Sequence, residues 1–145
     1  MALSDLMTQG GLNTPITQDI RQEIWIKLAA NVALNQVGAL VRATTSEMCN
    51  DPSVHDLLCK IMREVQAVAT SLGFAAPLAP EQILSGAKQS GTHKTSMLQD
   101  LERGRPLEID ALSGAVRELA RLKDVDIPNV DIIHHLISLK AQTTR

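Results

Sequence analysis

Three polar side chains recur at four-residue intervals in an otherwise apolar stretch: Lys27, Asn31 and Asn35. At about 100° and 1.5 Å per residue, they form one helical stripe roughly 12 Å long. An ammonium followed by two amides can donate a proton and hydrogen bonds to a ligand. A solvated helix edge is the competing interpretation. Because the flanking residues are apolar, we expect Lys27 to lie in apolar surroundings, where lysines can become proton donors.

A second group of polar residues surrounds an apparent break, HKTSMLQDLERGRPLEID at 93–110. The order S-M-L-Q from Ser96 to Gln99 fits a capping box and predicts a short helix that begins at Ser96. The free amides and the hydroxyl at such a start could hold a substrate carboxylate. The alternative is that Ser96 is only the N-cap.

Two acidic residues belong to the same stretch. Gly104 suits the end of the short helix, and Pro106 can stand in the first turn of the next one. Glu108 is therefore expected in the opening turn of that helix, where it could pair with or orient Lys27. Its alternative role is that of a partner for the helix dipole. Asp100, inside the short helix, is expected to hold the loop.

The pattern of histidines and cysteines predicts no metal site. His134 and His135 are adjacent, so they should point to different helix faces and cannot ligate one metal together. The remaining histidines, His55 and His93, lack acidic or thiol companions at a metal-binding spacing. Cys49 and Cys59 do not show the spacing of zinc ligands, and we expect both to be free thiols.

These candidates require helices to position them, and the apolar periodicity predicts an all-α domain of about six helices over residues 1–145. We expect a core helix at about 17–42, a helix capped by Ser53 that ends at Gly73, and a short helix with Pro80 in its first turn. We expect residues 85–95 to be a loop or a frayed helix end. They are followed by the short helix from Ser96, a helix from Pro106 to about Lys123 and a last helix at 132–142.

Composition limits the function classes. The chain has 145 residues, 44% hydrophobic and 1% aromatic content, and a net charge of −2 with dispersed basic residues, so a nucleic-acid binder is not expected. No apolar run in the sequence approaches the roughly 20 residues that span a membrane, and the first residues lack the features of a signal peptide. We expect a soluble cytoplasmic protein.

Two segments together carry a resemblance to a known family. WIKLAANVALN at 25–35 and SMLQDL-x-RGRPLEID at 96–110 resemble the C-terminal domain of ketopantoate reductases (2-dehydropantoate 2-reductases), and the similarity extends through DIPNV at 126–130. The resemblance implies an all-helical domain related to the C-terminal domain of phosphogluconate dehydrogenase. It also implies a preceding dinucleotide-binding domain.

The resemblance further implies an activity and roles for individual residues. The family reduces 2-dehydropantoate to pantoate with NADPH, in pantothenate biosynthesis. The position of Lys27 is that of the general acid. The positions of Asn31, Asn35 and Ser96 are those that bind substrate. The position of Glu108 is that of a catalytic residue beside the cofactor ribose and the lysine, and the position of Asp100 supports the site.

Two departures from the family pattern limit what the resemblance implies. Where many members carry Asn-Gly-Glu after the core helix, this chain has Thr45-Ser46-Glu47, so a further substrate contact is not carried over. No G-x-G-x-x-G occurs in the chain, which would leave the cofactor pyrophosphate without its usual binding loop. We therefore expect the chain to be inactive without a dinucleotide-binding domain.

Two functional hypotheses follow from the sequence. The first is the substrate-binding and proton-donating half of an NADPH-dependent 2-keto acid reductase, with a homodimer as its expected assembly. The second is a non-catalytic helical module that mediates dimerisation, in which the polar stripe is structural. In sedimentation, a monomer at high concentration would count against the second hypothesis.

Overall fold

The computed structural model describes residues 3–88 and 91–143, and these residues contain helices and no strand. The prediction of an all-α fold is confirmed. The eight α-helices of the described residues are α1 Leu3–Gln9, α2 Ile20–Val41, α3 Thr45–Asn50, α4 Pro52–Ser71, α5 Pro80–Lys88, α6 Ser96–Glu102, α7 Ala115–Lys123 and α8 Pro128–Thr143, with a π-helical segment at Asp110–Gly114.

The predicted core helix is α2. Asp19 caps its start by accepting a hydrogen bond from the Gln22 amide, and Arg42 ends it in the left-handed region with φ of 56°. Its second half is buried almost continuously from Ala29 to Ala39. The first half is covered on one side only, so α2 projects from the core at its amino end.

By length and composition, α2 could also cross a membrane, a property that the apolar runs in the sequence did not indicate. The mean hydropathy of its most apolar 18-residue window is 1.4, and half of that window is buried by the other helices. The core helix of a soluble protein has the same composition, and the buried apolar residues of α2 pack against the helices that contact it, among them α4, α6 and α8.

The second long helix, α4, packs along α2. Its N-cap is Asp51, which accepts hydrogen bonds from the Ser53 and Val54 amides at 2.9 Å. The prediction that Ser53 is the cap is therefore wrong, because Pro52 already occupies the first helical position. The predicted end is confirmed: Gly73 adopts φ of 89° immediately after the helix.

Short helices connect the long ones, and two of them were not predicted. α1 buries none of its residues. α3 begins with a capping box, in which the Thr44 hydroxyl accepts from the Glu47 amide and the Glu47 carboxylate accepts from the Thr44 amide. α5 confirms the helix predicted from Pro80 and ends at Lys88, so the start of the interval predicted as a loop or a frayed helix end is helical. Residues 89 and 90 of that interval lie outside the described residues.

The interior is built mainly from aliphatic side chains and methionine. The largest fully buried side chains are mainly of these types: Met48, Leu58, Ile61, Met62, Leu84, Leu98 and Ile137. The two aromatic residues, Trp25 and Phe74, pack against each other at the edge of this core with ring centroids 6.0 Å apart.

The last helix is held to the core by a carboxylate from α4. Glu64 accepts hydrogen bonds from the Asn129 amide at 3.0 Å, the Asn129 side chain at 2.5 Å and the Val130 amide at 2.8 Å. These two backbone amides are among those that a helix start leaves without an intrahelical partner. Glu64 is therefore a tertiary cap of α8.

Replacing Glu64 by alanine should lower the free energy of unfolding by about 2 to 3 kcal/mol, because partly buried amides lose a charged acceptor. Urea unfolding followed by circular dichroism measures this change. The matched control is Asp56→Ala, which removes an exposed ion pair to Lys60 and should cost less than about 1 kcal/mol. Equal midpoints for the two variants would show that Glu64 does not cap α8.

Candidate active site

The polar stripe of α2 runs from solvent into the interior. Lys27 is exposed, Asn31 is half-buried, and Asn35 is buried with 9% of its surface exposed. Ile20 and Ile24, which precede Lys27 on the same helix, are also more than half exposed. The expectation that Lys27 is enclosed by apolar neighbours is therefore wrong, because the amino end of α2 projects beyond the core.

The stripe is not used to hold the fold together. In residues 3–88 and 91–143, no hydrogen bond or ion pair involves the side chains of Lys27, Asn31 or Asn35. Their polar side-chain atoms are also not among the fully buried atoms that lack a partner. The two amides therefore keep contact with solvent even though Asn35 is mostly buried. A ligand that approached this face could replace that solvent.

A close approach of α6 places its start one turn beyond Asn35. A side chain at Gly38 would come within 3.3 Å of the Thr95 hydroxyl and 3.1 Å of the Met48 methyl group, so glycine permits this contact. The Thr45 amide also donates to the His93 carbonyl at 3.1 Å. These contacts fix the segment before α6 against α2 and α3.

Thr95, and not Ser96, is the N-cap of α6. Its hydroxyl accepts from the Leu98 amide at 3.4 Å, and the Gln99 side chain donates to the Lys94 carbonyl at 2.9 Å. The capping box predicted at Ser96 is therefore wrong by one residue. Ser96 occupies the first helical position, is exposed, and has a hydroxyl with no hydrogen bond to the described part of the chain.

The predicted break after α6 is a tight helix ending. Gly104 adopts φ of 64° and donates to the Leu101 carbonyl, while the Arg105 amide donates to the Asp100 carbonyl at 2.8 Å. This pair of bonds is a Schellman motif. The Asp100 carboxylate lies 3.6 Å from the Arg105 guanidinium, so an ion pair spans this turn.

Glu108 stands just before the next helical segment. Residues 105–108 have no helical structure, so the expectation of Pro106 and Glu108 in a first helical turn is wrong. The Glu108 carbonyl accepts a hydrogen bond from the Leu112 amide at 3.2 Å, so Glu108 lies at the start of the next helical segment. Its exposed carboxylate bonds to none of the described residues.

The structure also locates the adjacent histidines and the two cysteines. His134 is buried and His135 exposed, which confirms that they occupy different faces. Cys49 and Cys59 are free and buried, and burial raises the pKa of both thiols. No group of three or more histidine, cysteine and acidic side chains within residues 3–88 and 91–143 could hold a metal ion.

One buried polar network was missed at the sequence level. The hydroxyl of Ser113, in the π segment, bonds to both Gln36 of α2 and His134 of α8, although Gln36 and Ser113 are 77 residues apart. Burial, followed by the nearby Arg117, lowers the pKa of His134. Local periodicity contains no signal for such long-range pairs.

Comparison with known proteins places the chain in one group. The family described as "Ketopantoate reductase PanE/ApbA C terminal" matches residues 19–141. The 2-dehydropantoate 2-reductase of Mesorhizobium japonicum is 44% identical over 135 residues, covering 93% of this chain and 41% of that protein. The chain therefore spans less than half the length of this curated relative.

Solved structures agree with the sequence comparison. A 2-dehydropantoate 2-reductase from Methylococcus capsulatus superposes with a TM-score of 0.86 at 26% identity, covering 98% of this chain and 50% of that one. A dimeric ketopantoate reductase from Staphylococcus aureus gives 0.76 at 27% identity, covering 90% of this chain and 46% of that one. The fold and the sequence thus point to the same family.

Proposed function

Since the chain belongs to the ketopantoate reductase family through that family's C-terminal domain, we propose that it is the substrate-binding and proton-donating part of an NADPH-dependent 2-dehydropantoate 2-reductase or related 2-keto acid reductase. The observation that carries the proposal is the free stripe of Lys27, Asn31 and Asn35 beside the start of α6. The proposed step is ketopantoate to pantoate, in the cytoplasm.

Lys27 is proposed as the general acid. Reduction of a ketone adds a hydride to the carbonyl carbon and a proton to the oxygen, so negative charge develops on that oxygen. Bound NADPH would supply the hydride. The Lys27 ammonium, exposed and without an internal partner, is free to donate the proton to the oxygen. The product is a 2-hydroxy acid.

Asn31, Asn35 and Ser96 are proposed to bind the substrate. A carboxylate only accepts hydrogen bonds, and the two amides and the hydroxyl can donate to it. Capping by Thr95 supports this role for Ser96, since its hydroxyl is not needed to start α6. The greater burial of Asn35 favours the inner end of the stripe for substrate and the exposed Lys27 end for the reacting carbonyl and the cofactor.

Glu108 is the residue of this chain that we propose to contact NADPH. A free, exposed carboxylate can accept hydrogen bonds from ribose hydroxyls and can also orient the Lys27 ammonium. Asp100 supports the site by holding the turn that leads toward Glu108. Binding of the pyrophosphate would fall to a separate dinucleotide-binding domain, since the described residues contain no strand-turn-helix unit.

Self-association is part of the same proposal. α8 exposes Ile132, Leu136 and Leu139 at helical spacing. Ile132 and Leu136 line one apolar groove with the exposed Val41 of α2. An apolar face of this kind is consistent with a homodimer. It also keeps the purely structural dimerisation module as the second candidate function.

A chimera tests the enzymatic proposal. The chain is joined to the part of the Mesorhizobium japonicum relative that it does not match, and NADPH absorbance is followed with 2-dehydropantoate and a panel of other 2-keto acids. We expect NADPH consumption that depends on the keto acid. A chimera that binds NADPH but reduces none of these acids would contradict the proposal and favour the dimerisation module.

A further inference from the structure

The buried network of Gln36, Ser113 and His134 joins three helical segments. The Gln36 side-chain amide donates to the Ser113 hydroxyl at 2.7 Å, and this hydroxyl lies 2.8 Å from His134 Nδ1 and 3.3 Å from the Ile109 carbonyl. Gln36 and Ser113 are fully buried, and His134 is 9% exposed. Buried polar groups are costly unless bonded, so these bonds strongly specify how the segments pack.

Ser113 reaches this network from a π-helical turn. The Gly114 amide donates to the Ile109 carbonyl five residues earlier at 3.1 Å, while the Leu112 amide donates to the Glu108 carbonyl at 3.2 Å. π-helical turns are rare and are frequent at functional sites. The turn begins two residues after Glu108 and bonds to its carbonyl, so Ser113 and Glu108 belong to one hydrogen-bonded segment.

The other end of the network lies next to the polar stripe. Gln36 directly follows Asn35 on α2. In the described part of the chain, Gln36 Oε1 is the one buried side-chain oxygen or nitrogen without a hydrogen-bond partner. An apolar side chain would avoid this unbonded atom, so interior packing alone does not account for a glutamine at position 36.

We propose that Gln36, Ser113 and His134 are positioning residues that hold Glu108 in place relative to Lys27, Asn31 and Asn35. The inference rests on the proposed function, because Glu108 matters to catalysis only if this face is an active site. The network links the helix that carries the stripe to the π-helical turn that follows Glu108. α8 contributes His134, the third member of the network.

The first test is Ser113→Ala in the chimera, which removes the shared hydroxyl and adds no bulk. Displacing Glu108 should lower kcat about tenfold and leave KM for the keto acid within about twofold. The matched control is Ser138→Ala, whose hydroxyl bonds only within α8, to the His134 carbonyl at 2.7 Å. Equal kcat values for the two variants would overturn the inference.

The second test does not need activity. Amide hydrogen exchange of Leu112 and Gly114, measured in the chain alone, should be faster in Ser113→Ala than in Ser138→Ala, because the π turn loses its anchor. Unchanged exchange would overturn the inference even if the wild-type chimera were inactive. An inactive wild type with faster exchange in Ser113→Ala would contradict the proposed function while supporting the network as the anchor of the Glu108 turn.

Discussion

Replacing Lys27 by alanine should slow keto acid reduction by the chimera about 100-fold to 10,000-fold, the usual contribution of a positioned general acid. The loss should appear in kcat, because the proton is transferred in the chemical step. Lys27 is exposed and has no partner within the described chain, so its removal should change the free energy of unfolding by less than about 0.5 kcal/mol. The activity loss would therefore report chemistry and not misfolding.

Two further variants separate proton donation from charge. Lys27→Arg keeps the positive charge, but a guanidinium does not release its proton near neutral pH, so this variant should be nearly as slow as Lys27→Ala. Lys60→Ala removes an exposed lysine on α4 and should retain full turnover. If Lys27→Arg were as fast as wild type, charge alone would be sufficient and the general-acid role would be wrong.

Replacing Glu108 by glutamine should lower kcat about tenfold to a hundredfold, because an uncharged amide orients a lysine ammonium less strongly than a carboxylate does. The KM for NADPH should rise as well, since a carboxylate is the better acceptor for ribose hydroxyls. Steady-state NADPH oxidation at saturating keto acid measures both constants. The change is nearly isosteric and the side chain is exposed, so the fold should be unaffected.

The matched control for Glu108 lies on α6. Glu102→Gln breaks an exposed ion pair with Lys94, whose Nζ is 2.7 Å from the Glu102 carboxylate, and it should alter turnover less than twofold. If both glutamates gave the same small change, Glu108 would act only as a solvated residue near a helix start.

Much of the fold was predictable because its information is local. The periodic apolar residues of α2 and α4 identified both long helices, and Gly73 and Gly104 marked endings that the structure confirms at positive φ. The short helices were harder to predict. α1 buries nothing and α3 has only six residues, so neither shows a sustained apolar stripe.

Helix caps were displaced by one or two residues from their predicted positions. The sequence offers several suitable side chains in a row, as in Thr95 and Ser96, and tertiary contacts choose between them. Thr95 is selected because it packs against Gly38 of α2, which sequence spacing cannot reveal. This choice changes the interpretation of Ser96 from a cap to a free hydroxyl.

The candidate site was predictable as a set of residue types but not as an environment. Four-residue spacing placed Lys27, Asn31 and Asn35 on one face, whereas the gradient from exposed to buried depends on how far α2 projects from the core. The π turn and the Gln36, Ser113 and His134 bonds depend on contacts between residues distant in sequence. No local pattern could have indicated them.

A double-mutant cycle between Lys27 and Glu108 tests most directly whether α2 and the segment that follows α6 form one catalytic site. Turnover of the chimera is measured at saturating NADPH for Lys27→Ala, Glu108→Gln and the double variant. If Glu108 acts through the lysine, the double variant should be about as slow as Lys27→Ala alone. Losses that multiply would show that Glu108 does not act through Lys27 and would contradict a catalytic unit formed by the two residues.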